Sequence, residues 1–212
     1  MTVIFPLLLL VIFAACIGVL YPEGLWSNAV RLINVTTAAL VATNFFEPLA
    51  RWLDGMADSY TYFWDFIAIW GLFCATMVVM RAATDLISRV KVRFLNIVDR
   101  VGSVVFAVAV GWVMVCFITM TLHTAPLARN FLWGGFDPSK RMLMGLAPDR
   151  QWLAFVQHVS QGPFSWSEPK VFDPNNEFLA KYNNRRGALE KQREEKKSFR
   201  AQSGEAPKRS LE

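Results

Sequence analysis

Residues 101–122 read VGSVVFAVAVGWVMVCFITMTL, an apolar run without a single charge, and this stretch decides the class of fold. A helix of this length is about as long as the hydrocarbon layer of a bilayer is thick, which is about 30 Å. The strands of a membrane barrel would alternate polar and apolar residues, which this run does not do. We therefore expect a membrane-spanning helix, in which the backbone satisfies its own hydrogen bonds.

Three similar stretches precede this run and complete a predicted bundle within residues 1–128. The first carries no charge, the second carries Arg31, and the third carries Asp65 near its start. A cleaved signal peptide is the alternative for the first stretch, but such peptides begin with basic residues, and no Lys or Arg precedes Arg31. Together the four stretches predict an all-α membrane protein with about four transmembrane helices. The predicted spans are residues 3–21, 29–46, 62–80 and 101–122.

Charge divides the chain near Ala128. Residues 1–128 hold 7 basic and 7 acidic residues, whereas residues 129–212 hold 15 basic and 10 acidic residues. The net charge of +5 therefore belongs to the second part. Its basic residues are interleaved with Asp and Glu, which argues against nucleic-acid binding. The three cysteines lie in separate apolar runs, which argues against a disulfide-stapled secreted domain.

Residues 129–184 are predicted to form a soluble segment with one short amphipathic helix. Pro148 and Asp149 are typical of a helix start, and Gly162 followed by Pro163 ends the pattern. Apolar residues at helical spacing form a face that should lie on the membrane or dock on the bundle, because water would leave it unsupported. This face consists of Trp152, Phe155, Val156 and Val159.

The last segment, residues 185–212, is rich in charge and almost free of large apolar side chains. A segment of this composition cannot bury a core of its own. We expect a charged C-terminal tail that is disordered or forms a solvated helix.

Basic residues in the connecting loops predict the orientation, because cytoplasmic loops carry an excess of Lys and Arg. The loop between the second and third spans has Arg51 beside Asp54 and Asp58. This loop is therefore expected outside the cytoplasm, and with four spans both termini lie on that same side. The loop between the third and fourth spans, expected in the cytoplasm, is far more basic and holds Arg81, Arg89, Lys91, Arg93 and Arg100.

Polar residues inside the spans are informative because charges in a membrane are expensive. Arg31 can extend its guanidinium to the headgroups, and Asp65 can be hydrated near the outer end of its span. Asn34 can hydrogen-bond to a neighbouring helix. A permeation path lined by these three residues is the alternative.

Small residues recur on one face of the fourth span. Ser103, Ala107 and Gly111 are spaced every four residues, and small side chains let two helices approach closely in lipid. This face is therefore predicted to be a helix-packing surface. Asp99 and Arg100 mark the cytoplasmic entry of the same helix, with Asp99 at its positive N-terminal end.

The sequence contains no catalytic constellation. His123 and His158 have no cluster of Cys, Asp or Glu at metal-ligand spacing, and neither a phosphate-binding loop nor a nucleophile elbow occurs. His123 is interpreted as an interfacial residue at the end of the fourth span. We expect no enzyme activity, no metal and no cofactor.

The run from Asp99 to Gly111 resembles the signature of the colicin V production protein (CvpA) family. That family usually has glycine at all three small positions, so Ser103 and Ala107 are conservative departures. The similarity leaves out the tail. It extends to residues 23–26 and 70–80 and covers roughly residues 1–126.

The resemblance implies a small bacterial inner-membrane protein with about four spans. It also implies a role linked to colicin V production or secretion, or to envelope physiology, but no particular molecular activity. We expect an accessory or scaffold role, with a small transporter or channel subunit as the alternative. The expected partners are the lipid bilayer, other membrane or secretion proteins and a second copy of the chain.

Overall fold

The protein is described by a computed structural model that covers residues 4–56, 61–87, 95–127, 136, 143–161 and 171–202. Within these ranges the regular structure is helical, without a strand. Short 3-10 turns lie at Tyr21–Glu23 and Leu143–Gly145. The helices are α1 (Ile4–Leu20), α2 (Leu25–Asp54), α3 (Thr61–Ile87), α4 (Asn96–Thr124), α5 (Pro148–Gln161) and α6 (Phe178–Gln202).

Helices α1 to α4 correspond to the four predicted spans, and each is long and apolar enough to cross a membrane. The predicted all-α membrane fold is therefore confirmed. Helices α2, α3 and α4 extend beyond the predicted spans, because polar end residues such as Asp54 and Asp99 remain helical. Some residues named in the predictions lie outside the described residues, namely Asp58, Arg89, Lys91, Arg93, Gly162 and Pro163.

Helices α2 and α4 form the centre of the bundle, with α1 packed against α4 and α3 packed against α2. Consecutive spans alternate in direction, so the bundle has two distinct ends. The Ser103 end is defined by Leu20, Asn28, Thr84 and Ser103. The tail end, where α5 and α6 also lie, is defined by Phe5, Glu47, Asp65 and His123.

Small residues on α2 let its neighbours approach, and aromatic rings fill the space between the helices. Ala38, Ala39 and Ala42 on α2 are fully buried. Phe117 of α4 stacks on Phe73 of α3, with ring centroids 4.8 Å apart. Close packing of this kind holds helices together in lipid, where the hydrophobic effect between spans is absent.

Helix α5 is the predicted amphipathic helix, and it docks on the bundle. Trp152 donates a hydrogen bond from Nε1 to the Thr43 hydroxyl on α2 at 3.1 Å and packs edge-on against Phe117 of α4. Val156 is fully buried, whereas Phe155 is exposed. The buried face is therefore rotated away from Phe155, because the contact with α2 and α4 selects the side of the helix that carries Trp152 and Val156.

The first part of the predicted tail belongs to helix α6. Residues 185–202 continue a helix that begins at Phe178, so the solvated helix, rather than disorder, describes this part of the tail. Residues 191–199 are exposed, and residues 203–212 lie outside the described residues. The start of α6 is held by three buried side chains, Phe178, Tyr182 and Arg186.

Candidate functional site

A buried polar cluster joins three helices at the Ser103 end. Asn28 of α2 is fully buried, and its Nδ2 donates to the Leu20 carbonyl at 2.9 Å and to the Ser103 hydroxyl at 3.0 Å. The Ser103 hydroxyl in turn donates to the Tyr21 carbonyl at 2.8 Å. These carbonyls lie where α1 ends, so the cluster satisfies acceptors that the end of a helix leaves open.

Asp99 connects the N-termini of two helices. It lies in the first turn of α4, and its Oδ1 accepts a hydrogen bond from the backbone amide of Leu25 at 3.0 Å. Gly24, which precedes Leu25, has a φ of 87°, and a β-carbon there would lie 3.3 Å from Asp99 Oδ2. Glycine is therefore favoured both by the backbone conformation and by the close carboxylate. Arg100 beside Asp99 is exposed.

The small-residue face of α4 points toward α1 and the start of α2. A β-carbon on Gly111 would lie 3.0 Å from the Phe13 ring of α1. A β-carbon on Gly102, which sequence reasoning missed, would lie only 2.1 Å from Cδ1 of Leu25. The buried positions on α4 include all three residues predicted for packing, Ser103, Ala107 and Gly111.

The three polar residues predicted inside the spans do not come together. Arg31 forms an ion pair with Glu23 at 2.9 Å, and Asn34 donates to the Thr84 hydroxyl at 3.1 Å. Both contacts lie toward the Ser103 end, whereas Asp65 lies at the tail end. Each of the three residues has its own protein partner, and they do not line a common path.

Asp65 connects the start of α3 to α6 through a hydrogen bond and an ion pair. Its Oδ2 accepts a hydrogen bond from the Tyr182 hydroxyl at 3.0 Å and forms an ion pair with Arg185. Burial raises the pKa of Tyr182, and the carboxylate of Asp65 raises it further, so the hydroxyl keeps its proton and donates. A second ion pair joins Lys181 to Glu47 of α2 at 2.8 Å.

Two further buried contacts lie at the tail end. The His123 side chain makes one of them, and the Arg186 side chain makes the other. Nε2 of His123 lies 3.0 Å from Oδ2 of Asp149, and both side chains are only 1% exposed. Helix α5 covers His123, so its imidazole is buried within the protein where the fourth span ends. Nη2 of Arg186 donates to the carbonyls of Leu122, His123 and Ala125 at 3.3, 3.4 and 3.5 Å. The guanidinium thus satisfies carbonyls left open where α4 ends.

Sequence reasoning missed the docking of α6 because its partners are far apart in the chain; Tyr182 and Asp65 are separated by 117 positions. The sequence does contain one signal of this docking. Phe178, Tyr182 and Arg186 recur every four residues, which places them on one face of a helix.

A cavity of about 370 Å³ lies at the tail end between α2, α3 and the start of α6. Its charged lining has equal numbers of acidic and basic side chains, Glu47, Asp54, Asp65, Arg51, Lys181 and Arg185. Four of these side chains form the two ion pairs that hold α6. Among the residues that the structure describes, no group of three His, Cys, Asp or Glu side chains could hold a metal ion.

Comparison with known protein families identifies a match over residues 5–135, to the family described as colicin V production protein. The matched region is more than half of the chain and contains α1 to α4. It includes both stretches that meet at Gly24 and Asp99. Neither the curated proteins nor the solved structures provide a match to the chain.

Proposed function

The chain belongs to the colicin V production protein family, and from this we propose that it is an accessory or scaffold protein of the bacterial inner membrane. Its role would lie in colicin V production or secretion, or in envelope physiology. Helices α1 to α4 provide the membrane anchor, and α6 provides the contact with other membrane or secretion proteins. We propose no enzymatic activity. A second copy of the chain is one of the proposed partners.

The observation that carries this proposal is that α6 has a first part docked on the bundle and a second part that is exposed. Its first turns are held on the bundle by Asp65 and by carbonyls at the end of α4. Beyond them, residues 191–199 are exposed and carry six charges, four basic and two acidic, which gives a net charge of +2. An ordered, exposed helix of this kind is suited to reversible contacts with charged surfaces of other proteins.

The polar groups within the bundle favour a scaffold role rather than a pore. Asn28 and Ser103 bond to backbone carbonyls, and Asn34 bonds to Thr84. These contacts connect one helix to another and stabilise a fixed arrangement. A bundle held in this way offers a stable platform for α6.

We further propose that the tail end faces away from the cytoplasm. The connection between α3 and α4 is rich in basic residues, which favours the cytoplasm for the Ser103 end. Helices α5 and α6 and both termini would then lie on the opposite side of the membrane.

A site-specific crosslinking experiment tests the scaffold role. A photoreactive residue at Lys196, which is exposed on α6, should form a discrete adduct with another membrane or secretion protein in intact cells. The same group at Val105, an exposed apolar position of α4, is the matched control and should not form that adduct. Identical adducts from both positions would contradict the proposal.

A functional readout completes this test. Cells that carry the colicin V genes but lack this protein should export less toxin, and the wild-type chain should restore export. A chain with Lys196→Glu and Lys197→Glu should restore it less well, because its exposed helix has the opposite charge. Full restoration by this variant would argue against a role for α6.

The alternative, a small transporter or channel subunit, is favoured by one observation, the charged cavity beside Asp65. Purified protein in liposomes would then conduct a solute, and Asp65→Asn would change the flux. Arg31→Gln, at the opposite end of the bundle, is the comparison. Flux that responds to Asp65 would replace the scaffold proposal.

A further inference from the structure

The cavity at the tail end contains two charged residues that the docking of α6 does not use. Lys181 is paired with Glu47, and Arg185 is paired with Asp65. The remaining two charged lining residues, Arg51 and Asp54, belong to the last turn of α2. They carry opposite charges, so a ligand that satisfies both would itself be a zwitterion.

Asp54 has an unused acceptor. Its Oδ1 is buried and has no hydrogen-bond partner among the described residues. A buried carboxylate oxygen without a donor is costly, and a donor supplied by a ligand would remove that cost. The carbonyls at the C-terminus of α2 carry a partial negative charge, which favours a cation at the same place. The group expected beside Asp54 is therefore an ammonium with N–H donors.

Arg51 provides the complementary charge. Its side chain is exposed, and the bond that its Nε makes within the described residues is a long one, 3.4 Å to the Glu47 carbonyl of its own helix. The guanidinium is thus available to bind an anion, and its planar set of donors suits a phosphate. Arg51 and Asp54 lie three positions apart on one helix, so both can contact one small molecule.

Aromatic residues at the cavity favour a position at the level of the lipid headgroups. Trp64 lines it, and Trp52 beside Arg51 is exposed. Tryptophan is enriched where a membrane protein crosses the interface between lipid and water. We propose that this cavity binds a phosphoethanolamine headgroup of a membrane lipid, with its ammonium on Asp54 and its phosphate on Arg51.

Lipid binding to the purified protein in mixed micelles tests this proposal. Phosphatidylethanolamine should bind more tightly than phosphatidylcholine, whose ammonium has no N–H donor, and more tightly than phosphatidylglycerol, which has no ammonium. Asp54→Asn should weaken phosphatidylethanolamine binding by about tenfold, which corresponds to about 1.4 kcal/mol. Arg51→Gln should weaken the binding of all three lipids. Equal affinity for the three lipids would overturn the proposal.

The matched controls are Asp85→Asn and Arg81→Gln, which change an exposed ion pair on α3 at the other end of the bundle. These variants should keep the preference for phosphatidylethanolamine. Thermal unfolding without lipid checks that Asp54→Asn folds, and a folded variant that keeps the wild-type preference would overturn the assignment of Asp54. Binding of soluble glycerophosphoethanolamine distinguishes a membrane lipid from a free headgroup as the ligand. If it binds as tightly as the lipid, the ligand is a free headgroup and the assignment to a membrane lipid is overturned.

Discussion

The carboxylate of Asp99 accepts a hydrogen bond from the backbone amide of Leu25, which lies 74 positions earlier in the chain, at 3.0 Å. The contact joins the N-termini of α2 and α4, where both helices present open amides and partial positive charge. One carboxylate therefore stabilises two helix ends. The same contact brings together two of the stretches that resemble the family signature.

Removing the Asp99 carboxylate should weaken this junction. Asp99→Ala should lower the free energy of unfolding by about 0.5–2 kcal/mol, as the loss of a helix N-cap does elsewhere. Asp99→Asn keeps an acceptor oxygen and should cost less. Thermal unfolding in detergent measures both, with Asp85→Ala at an exposed position of α3 as the control. Equal losses for Asp99→Ala and Asp85→Ala would contradict this explanation.

Enlarging Gly111 should separate α4 from α1. A β-carbon already lies 3.0 Å from the Phe13 ring, so Gly111→Leu should lower stability by about 1–3 kcal/mol through overpacking. Val105→Leu, on the exposed side of the same helix, should be mild. Folded yield and thermal unfolding compare the two variants, and similar stability for both would mean that close packing at Gly111 is unimportant.

Arg186 should control the attachment of α6. Arg186→Gln removes the guanidinium from the carbonyls at the end of α4 and should destabilise the docked helix by about 1–3 kcal/mol. Hydrogen exchange in the first turns of α6 should then become faster while α2 remains protected. Arg193→Gln, at an exposed position of α6, should leave exchange unchanged. Unchanged protection in the Arg186 variant would show that other contacts suffice.

The raised pKa of Tyr182 predicts a loss of stability at alkaline pH. Above about pH 10, the ordinary pKa of tyrosine, the unfolded chain releases this proton whereas the folded chain retains it. Stability due to this group is therefore fully present below pH 10 and falls by about 1.4 kcal/mol per pH unit above it. The free energy of unfolding, measured across this range, should depend less on pH in Tyr182→Phe than in the wild type. Tyr21→Phe, which alters an exposed tyrosine, is the control and should keep the wild-type pH dependence.

The proposed orientation predicts the activity of inserted reporters. A reporter that works only in the cytoplasm should be active when inserted near Lys91, in the basic connection between α3 and α4. The same reporter fused after Glu212 should be inactive. An active C-terminal fusion would mean that the protein has the opposite orientation or a different number of spans.

The sequence by itself determined the four spans, because apolar runs without charge have one stable form in lipid, and their length is set by the bilayer. It also identified Ser103, Ala107 and Gly111 as one face of a helix, since helical periodicity is a local property. The amphipathic character of α5 was equally local.

The tertiary structure alone decided which groups meet. The bond from Tyr182 to Asp65 and the covering of His123 by α5 could not be read from the sequence. Arg186 was assigned to the tail but lies against the end of α4. Each of these contacts joins residues far apart in the chain. Their formation depends on how the helices pack, and hydrophobic periodicity along one helix carries no information about the neighbour that covers it.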